Sequence, residues 1–373
     1  MRKNMKLTNI RINGFKSFEY LDLPLDNMTV CIGANGSGKS NLLSAFYFLQ
    51  RIAEGRFSYA IAKAGGAHSL LYNGPDTTKK VEFTLTFEEF VYHAACELSN
   101  DDTLVFIQES IERPQIFPGG VMEVSNANNP PGYRESILTR WNYDLLDGKE
   151  IKKFLSDTYV YHFHDTSETS GVRLIGPISD NFSLKPDGSN LAAYLYLIMH
   201  RYPEHYEQIL ETVRLAAPFF HSFILRPTAE NQEMIRLEWQ EEGTDTVFQG
   251  HQMSDGLLRF TSLVTLLMQP VQLRPSIIII DEPELGLHPV AIDILAGLVK
   301  SASANSQVLI TTQSPLLLNQ FTLDEIRIVE RKHGHSTIRT PDQEALKEWL
   351  EDYSPAELWQ SGILGGDPSV ILR

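Results

Sequence analysis

The chain has 373 residues, 42% hydrophobic and 21% charged, which allows two or three packed units, or one domain with an insertion, and excludes a disordered or fibrous protein. Its 32 basic and 47 acidic side chains leave a net charge of −15, so contact with nucleic acid would need a local basic patch, and the acidity argues against a general DNA-coating role. The two cysteines, Cys31 and Cys96, form no CxxC pair, which argues against disulfide frameworks and zinc sites and for a reducing compartment.

The basic opening of the chain is followed by no apolar stretch of the kind a signal peptide needs. The conspicuous apolar run at 277–280 is far short of the roughly 20 residues that span a bilayer, so a cytoplasmic protein without membrane association is expected.

Alternation in "KLTNIRINGF" and "FEYLDLPL", followed by the apolar "MTVCI", predicts about three strands, and residues 40–53 read as a helix. Strands are expected at 79–87 and 103–111. From about 112 to 150 the Pro, Gly and Asn clusters predict exposed loops. Strand character returns in "DTYVYHFHD", and 190–217 carries two helical patterns interrupted at Pro203. "SFILRP", "MIRLEWQ" and "DTVFQ" read as strands. A helix capped by Ser254 then precedes the buried strand "IIII", with a helix from 289, a strand "QVLITT" and a strand "EIRIVERK" after it. Strand–helix alternation predicts a largely parallel sheet, and no repeat or long coiled coil is present.

"GANGSGKS" at 33–40 satisfies GxxxxGK[ST] between a strand and a helix. Glycine lets the backbone curl until several N–H groups face one anion, and the helix start adds its positive dipole end. Gly33, Ala34, Asn35, Gly36, Ser37 and Gly38, with Lys39, Ser40 and Asn41, are therefore the candidate nucleotide-binding residues. Lys39 would bridge β- and γ-phosphate charge, and Ser40 would ligate Mg²⁺. "IIIIDEPELGLHP" ends a buried strand in two carboxylates: Asp281 would hold the metal through water, and Glu282 would orient or deprotonate the attacking water.

The order "FKSF", "GANGSGKS", "SDGLLRF", "IIIIDEPELGLHP" and "TTQSP" resembles the ABC-type ATPase heads of the RecF, SMC and OLD-nuclease group, and in particular stand-alone AAA-family ATPases of bacteria. The likeness extends to 161–167, 184–195 and 358–368. It implies an α/β P-loop head of two lobes, with mixed and parallel sheets and an inserted α+β arm. The N-lobe spans about 1–90, the arm about 91–250, and the C-lobe about 251–373 with signature, Walker B and switch.

The same resemblance implies a homodimer that sandwiches ATP, in which Ser254 and Gly256 of one copy close over the γ-phosphate held by Lys39 of the other. It puts Gln313 at the switch position, where many relatives carry histidine. Glutamine cannot take up a proton at neutral pH, so slow turnover is expected. The signature core reads Ser-Asp-Gly where transporter heads have Ser-Gly-Gly-Gln.

Several residues keep two readings. Phe15 and Lys16 reach the base or ribose by family likeness, or only pack and solvate. Gln108 is a Q-loop glutamine or a surface one. His162 and His164, alternating on a strand, are metal ligands or, on the better-supported reading, pocket or core residues. His288 contacts a dimer interface or packs locally.

No nuclease metal cluster or Ser-His-Asp arrangement is present, so ATP hydrolysis is the expected chemistry. The resemblance implies an ATPase that regulates an operon-encoded effector, in anti-phage or toxin-like defence. The alternative is a DNA-repair or DNA-end-binding ATPase similar to RecF, with nucleic acid as partner. A transporter ATPase is disfavoured by the long insertion and the altered signature.

Overall fold

The computed structural model describes residues 5–112, 132–139 and 146–366. In chain order come β1 Leu7–Phe15, β2 Phe18–Pro24, β3 Met28–Ile32, α1 Lys39–Glu54, α2 Phe57–Lys63, β4 Lys80–Phe87, β5 Val91–Leu98, β6 Leu104–Glu112 and α3 Leu146–Ser156. Next are β7 Tyr159–Tyr161, β8 Gly176–Pro177, α4 Leu191–Arg201, α5 Pro203–Ala216, β9 Phe220–Phe223, β10 Met234–Ile235, β11 Glu238–Glu241, β12 Val247–Gln249 and α6 Asp255–Met268. The chain continues through β13 Ile277–Asp281, α7 Pro289–Ser303, β14 Gln307–Thr312, α8 Pro315–Leu318, β15 Ile326–Lys332 and β16 His335–Arg339, and three short helices follow. Two compact units result: 1–159 with 275–279 and 321–373, and 160–274 with 280–320.

In the first unit β1 pairs antiparallel with β2 and β4, and β5 joins β4 to β6, giving the order β2-β1-β4-β5-β6. Alternation explains the faces: Ile10 and Ile12 are buried while Arg11 between them is exposed. Phe15 sits edge-on to Phe48 and Phe83, with ring centroids 5.8 and 5.6 Å apart. Each such ring contributes about 2 kcal/mol by burial.

All five residues of β3 are buried. It pairs parallel with β15, which pairs antiparallel with β16. The three expected N-terminal strands are therefore present but divided: β1 and β2 build the antiparallel sheet, and β3 leads into the glycine loop beside a parallel neighbour.

β5 has no counterpart in the sequence reading. Its buried Ala94, Ala95 and Cys96 have little strand preference, and it is a strand because β4 and β6 pair its backbone on both sides. β5 and β6 complete the first unit's sheet, whereas 160–250 lies in the second unit. The stretch 91–250, expected as one arm, is thus shared between the units. Most of the expected loop region 112–150 lies outside the described residues, and its C-terminal end continues into α3.

In the second unit α4 and α5 are separate helices meeting at Tyr202, with Pro203 in the first turn of α5, where proline's missing N–H leaves no bond unmade. β9, β11 and β12 form an antiparallel sheet whose Trp239 is buried, its ring stacked 6.2 Å from that of Phe220. Thirteen of the fourteen residues of α6 follow Asp255, and its face from Leu257 to Leu267 is largely buried. All six residues of β14 are buried. Among the described residues no helix is long and apolar enough to cross a membrane.

A candidate phosphate loop and a candidate acid turn

The loop between β3 and α1 is shaped by its glycines. Gly38 has φ of 121°, and a Cβ there would lie 2.4 Å from Ser336 Oγ; a Cβ on Gly33 would lie 2.3 Å from the Val329 carbonyl. Substitution at either would push the loop off the β15–β16 hairpin.

Lys39 is buried at 6% exposure, and its ammonium donates to the Gly33 carbonyl at 2.6 Å and the Ala34 carbonyl at 3.1 Å. The loop also closes on itself through Ser37 N to Ala34 O at 3.1 Å, and Ala34 N donates to Gly366 O at 3.1 Å. Ser37 Oγ is buried with no partner, and no side chain caps the start of α1.

A buried cation, an orphan hydroxyl and an uncapped helix start form a donor set that fits a phosphate chain. Ser40 is exposed on the first turn of α1. Asn41 turns away, donating Nδ2 to Ser17 Oγ at 2.6 Å, and Ser336 Oγ donates to the same hydroxyl at 2.8 Å. Asn41 thus braces the helix start from behind.

Phe15 is core, at 1% exposure. Of its two readings, packing is the one supported by its contacts with Phe48 and Phe83. Lys16 adopts φ of 52°, lies 5.7 Å above the Phe15 ring and donates Nζ to Ser44 Oγ at 2.6 Å. Burial lowers its pKa.

Beside the loop opens a cavity of about 570 Å³, lined by Ala34, Asn35, Gly36 and Ser37 and by Arg331, Lys332 and Arg339. Glu330 lies among these cations. Burial works to raise its carboxyl, but hydrogen bonds from Lys332 (2.6 Å) and Arg339 (3.1 Å) outweigh that and hold it below the usual range. The lining is net positive in a chain of net charge −15. The sequence reading missed these cations, because nothing in "VERKHGHSTIR" marks a ligand wall until the hairpin folds beside the loop. Gln108 is exposed within β6, paired across to Ala95. It is a surface strand residue.

The second unit carries the carboxylates. Beyond β13 the chain turns at Glu282, whose φ of 41° is rare for a side-chain-bearing residue, and Glu282 N donates to Thr311 O at 2.9 Å. Thr311 Oγ1 donates to Asp281 Oδ1 at 2.5 Å, and Gln313 Nε2 donates to Glu282 Oε1 at 2.9 Å. The two acids and the expected switch residue are therefore brought together around the end of β14.

Glu284 stands beneath them, at 8% exposure, accepting from Thr312 Oγ1 at 2.5 Å and from Gln313 N at 3.4 Å. Burial pushes its carboxyl above the ordinary range. The sequence reading did not single it out, although it lies two residues beyond Glu282.

Ser254 caps α6, its Oγ accepting from Leu257 N at 3.3 Å, and is itself exposed. The segment before it is built on Arg173, which donates to Gly250 O at 2.6 Å, Met253 O at 2.9 Å and Asp255 Oδ1 at 2.5 Å. Asp255 is held below its usual range, first by a hydrogen bond from Thr166 and also by Arg173.

β7 ends at Tyr161, so His162 and His164 do not alternate on a strand. His162 is exposed, while His164 Nε2 donates to the Asp281 carbonyl at 3.0 Å. Among the described residues no group of three or more His, Cys, Asp or Glu could hold a metal ion. His288 caps α7, its Nδ1 accepting from Val290 N at 3.4 Å.

Chemically, Glu282 is a half-exposed carboxylate oriented by a neutral amide donor, as a general base for water requires. Gln313 fixes it without titrating.

Residues 28–319 match the family described as "AAA domain, putative AbiEii toxin, Type IV TA system". An OLD nuclease of Thermus scotoductus is 21% identical over 91% of this chain and 66% of its own length. The endonuclease GajA of Bacillus cereus is 37% identical over 84 residues, 22% of this chain and 13% of its own length. The chain thus spans less than two thirds of either. Among solved structures, an SMC head bound to the C-terminal winged-helix domain of ScpA has a TM-score of 0.63 at 18% identity, covering 92% of this chain and 99% of that one. A second SMC head, with an extended coiled coil and bound to the C-terminal domain of ScpA derived from Pyrococcus furiosus, has a TM-score of 0.59 at 18% identity, covering 93% and 99%. At that identity the likeness is one of fold.

Proposed function

The chain belongs to this AAA-domain family and is a P-loop ATPase of the ABC-like type, related to the OLD and GajA nucleases, and from that premise we propose that two copies close around ATP and so switch a separate effector protein. The loop amides from Gly33 to Gly38 and the Lys39 ammonium hold the phosphates. Ser40, and Asp281 through water, would hold Mg²⁺. Mg²⁺, when bound, neutralises phosphate charge. Glu282 orients and deprotonates the attacking water, and Gln313 aligns Glu282. Ser254 and Gly256 of the facing copy close the site with the dipole of α6.

One observation carries the pairing. Leu285, Val290 and Leu316, each within a few residues of Glu282, His288 or Gln313 in the chain, are 44%, 50% and 54% exposed. Apolar side chains standing in water beside a hydrolytic turn gain about 25 cal/mol per Å² when a second copy covers them. The family description supports a place in toxin-like defence, and a cytoplasmic location belongs to the same reading. The experiment is mass determination of Glu282→Gln with and without ATP and Mg²⁺. Doubling of the mass with nucleotide is expected; a monomer at saturating ATP would sink the pairing.

The second reading, an ATPase acting on DNA, is favoured by the nuclease relatives and by the cationic wall of Arg331, Lys332 and Arg339. Its mark is salt-dependent DNA binding that stimulates hydrolysis, because phosphate contacts release counterions. Copurification of an operon-encoded protein with no such stimulation separates the effector reading from it.

A further inference from the structure

The start of α6 and the acid turn are joined within one subunit by a single side chain. Arg259 donates NH1 to the Leu285 carbonyl at 3.2 Å and NH2 to the His164 carbonyl at 2.8 Å, with Thr166 Oγ1 at 3.3 Å from NH2. Each end of this strut is tied further on. His164 donates its Nε2 to Asp281 O at 3.0 Å, and Leu285 N donates to Glu282 O at 3.2 Å.

The backbones also meet. A Cβ on Gly256 would lie 2.9 Å from Gly286 O, and a Cβ on Gly286, at φ of 75°, would lie 2.4 Å from Arg259 NH1. Glycine at both positions lets the first turn of α6 rest on the turn after Glu282, with the guanidinium across it.

We infer that Arg259 is a positioning residue that couples the Ser254 helix to the Asp281–Glu282 turn of the same subunit, and so couples the two nucleotide sites of a closed pair. The inference rests on the pairing proposed above. In an isologous pair each chain lends its Ser254 helix to one nucleotide and its Glu282 to the other, so a rigid link inside the chain is a link between sites. Guanidinium suits the task because its planar fork points two nitrogens in fixed directions, one at each carbonyl, a geometry that the rotating donors of an ammonium do not impose.

The test is hydrolysis rate against ATP concentration for the unaltered chain, Arg259→Lys and Gly286→Ala. The second substitution places a Cβ 2.4 Å from NH1 and so displaces the guanidinium while keeping arginine at 259. Sigmoidal dependence is expected for the unaltered chain. Hyperbolic dependence is expected for both variants, with kcat lower on the order of tenfold and half-saturating ATP little changed. Mass determination of Glu282→Gln and of Glu282→Gln with Arg259→Lys reports pairing separately. If both pair with ATP while Arg259→Lys keeps a sigmoidal rate, or if the unaltered chain is itself hyperbolic, the coupling is overturned and the pairing stands. If Glu282→Gln stays monomeric, the pairing fails and the coupling with it.

Discussion

The side-chain amide of Gln313 donates to the Glu282 carboxylate at 2.9 Å, so the expected switch residue grips the candidate base directly. Both come from turns that follow buried strands, and Glu284 holds the same switch segment from below through Thr312 and Gln313 N. Gln313→Ala is expected to lower kcat about tenfold while leaving ATP affinity unchanged, since it frees a carboxylate that chemistry needs aligned. Gln313→His should restore much of the rate and add a pH dependence near neutrality that the native chain lacks. Equilibrium ATP binding beside steady-state rates checks both.

Glu282→Gln removes the base and keeps the shape, so hydrolysis should fall by about 10²- to 10⁴-fold with ATP still bound. Lys39→Ala is expected to weaken ATP binding about 100-fold, through loss of charge-assisted bonds to phosphate. Calorimetric titration distinguishes them: the first retains heat of binding and the second loses it. Unaltered turnover in both would contradict the site.

Gly38→Ala tests the loop's geometry. A Cβ there meets Ser336 Oγ at 2.4 Å, in a backbone conformation that alanine rarely adopts. The strain should cost about 1–3 kcal/mol of stability, and the displaced loop should lose ATP as well. Denaturant unfolding reads the first effect and nucleotide titration the second.

Glu284 sets a pH response. Burial raises its carboxyl above the ordinary range, so its protonated form is the one the fold favours. The stability this group contributes is present at pH below the ordinary carboxylate range and is lost as pH rises through the raised value. Glu284→Gln keeps an acceptor for Thr312 and Gln313 N and removes the charge. Its melting temperature should therefore fall less than that of the native chain between about pH 5 and about pH 8.

By itself the sequence determined the local pieces whose conformation depends on near neighbours. GxxxxGKS after an apolar strand marks a loop able to curl around a phosphate, Ser254 caps the helix that follows it, and Pro203 parts two helices. The end of a buried strand marked Asp281 and Glu282, and family likeness marked Gln313. The tertiary structure alone decided what depends on partners distant in the chain. β5 is a strand because β4 and β6 hold it, Phe15 is core because Phe48 and Phe83 enclose it, and His164 and Arg259 matter because they bond carbonyls of the acid turn, His164 from 117 residues away. Local propensity carries no record of such contacts, since backbone carbonyls look alike in any sequence and only packing chooses which donor meets them.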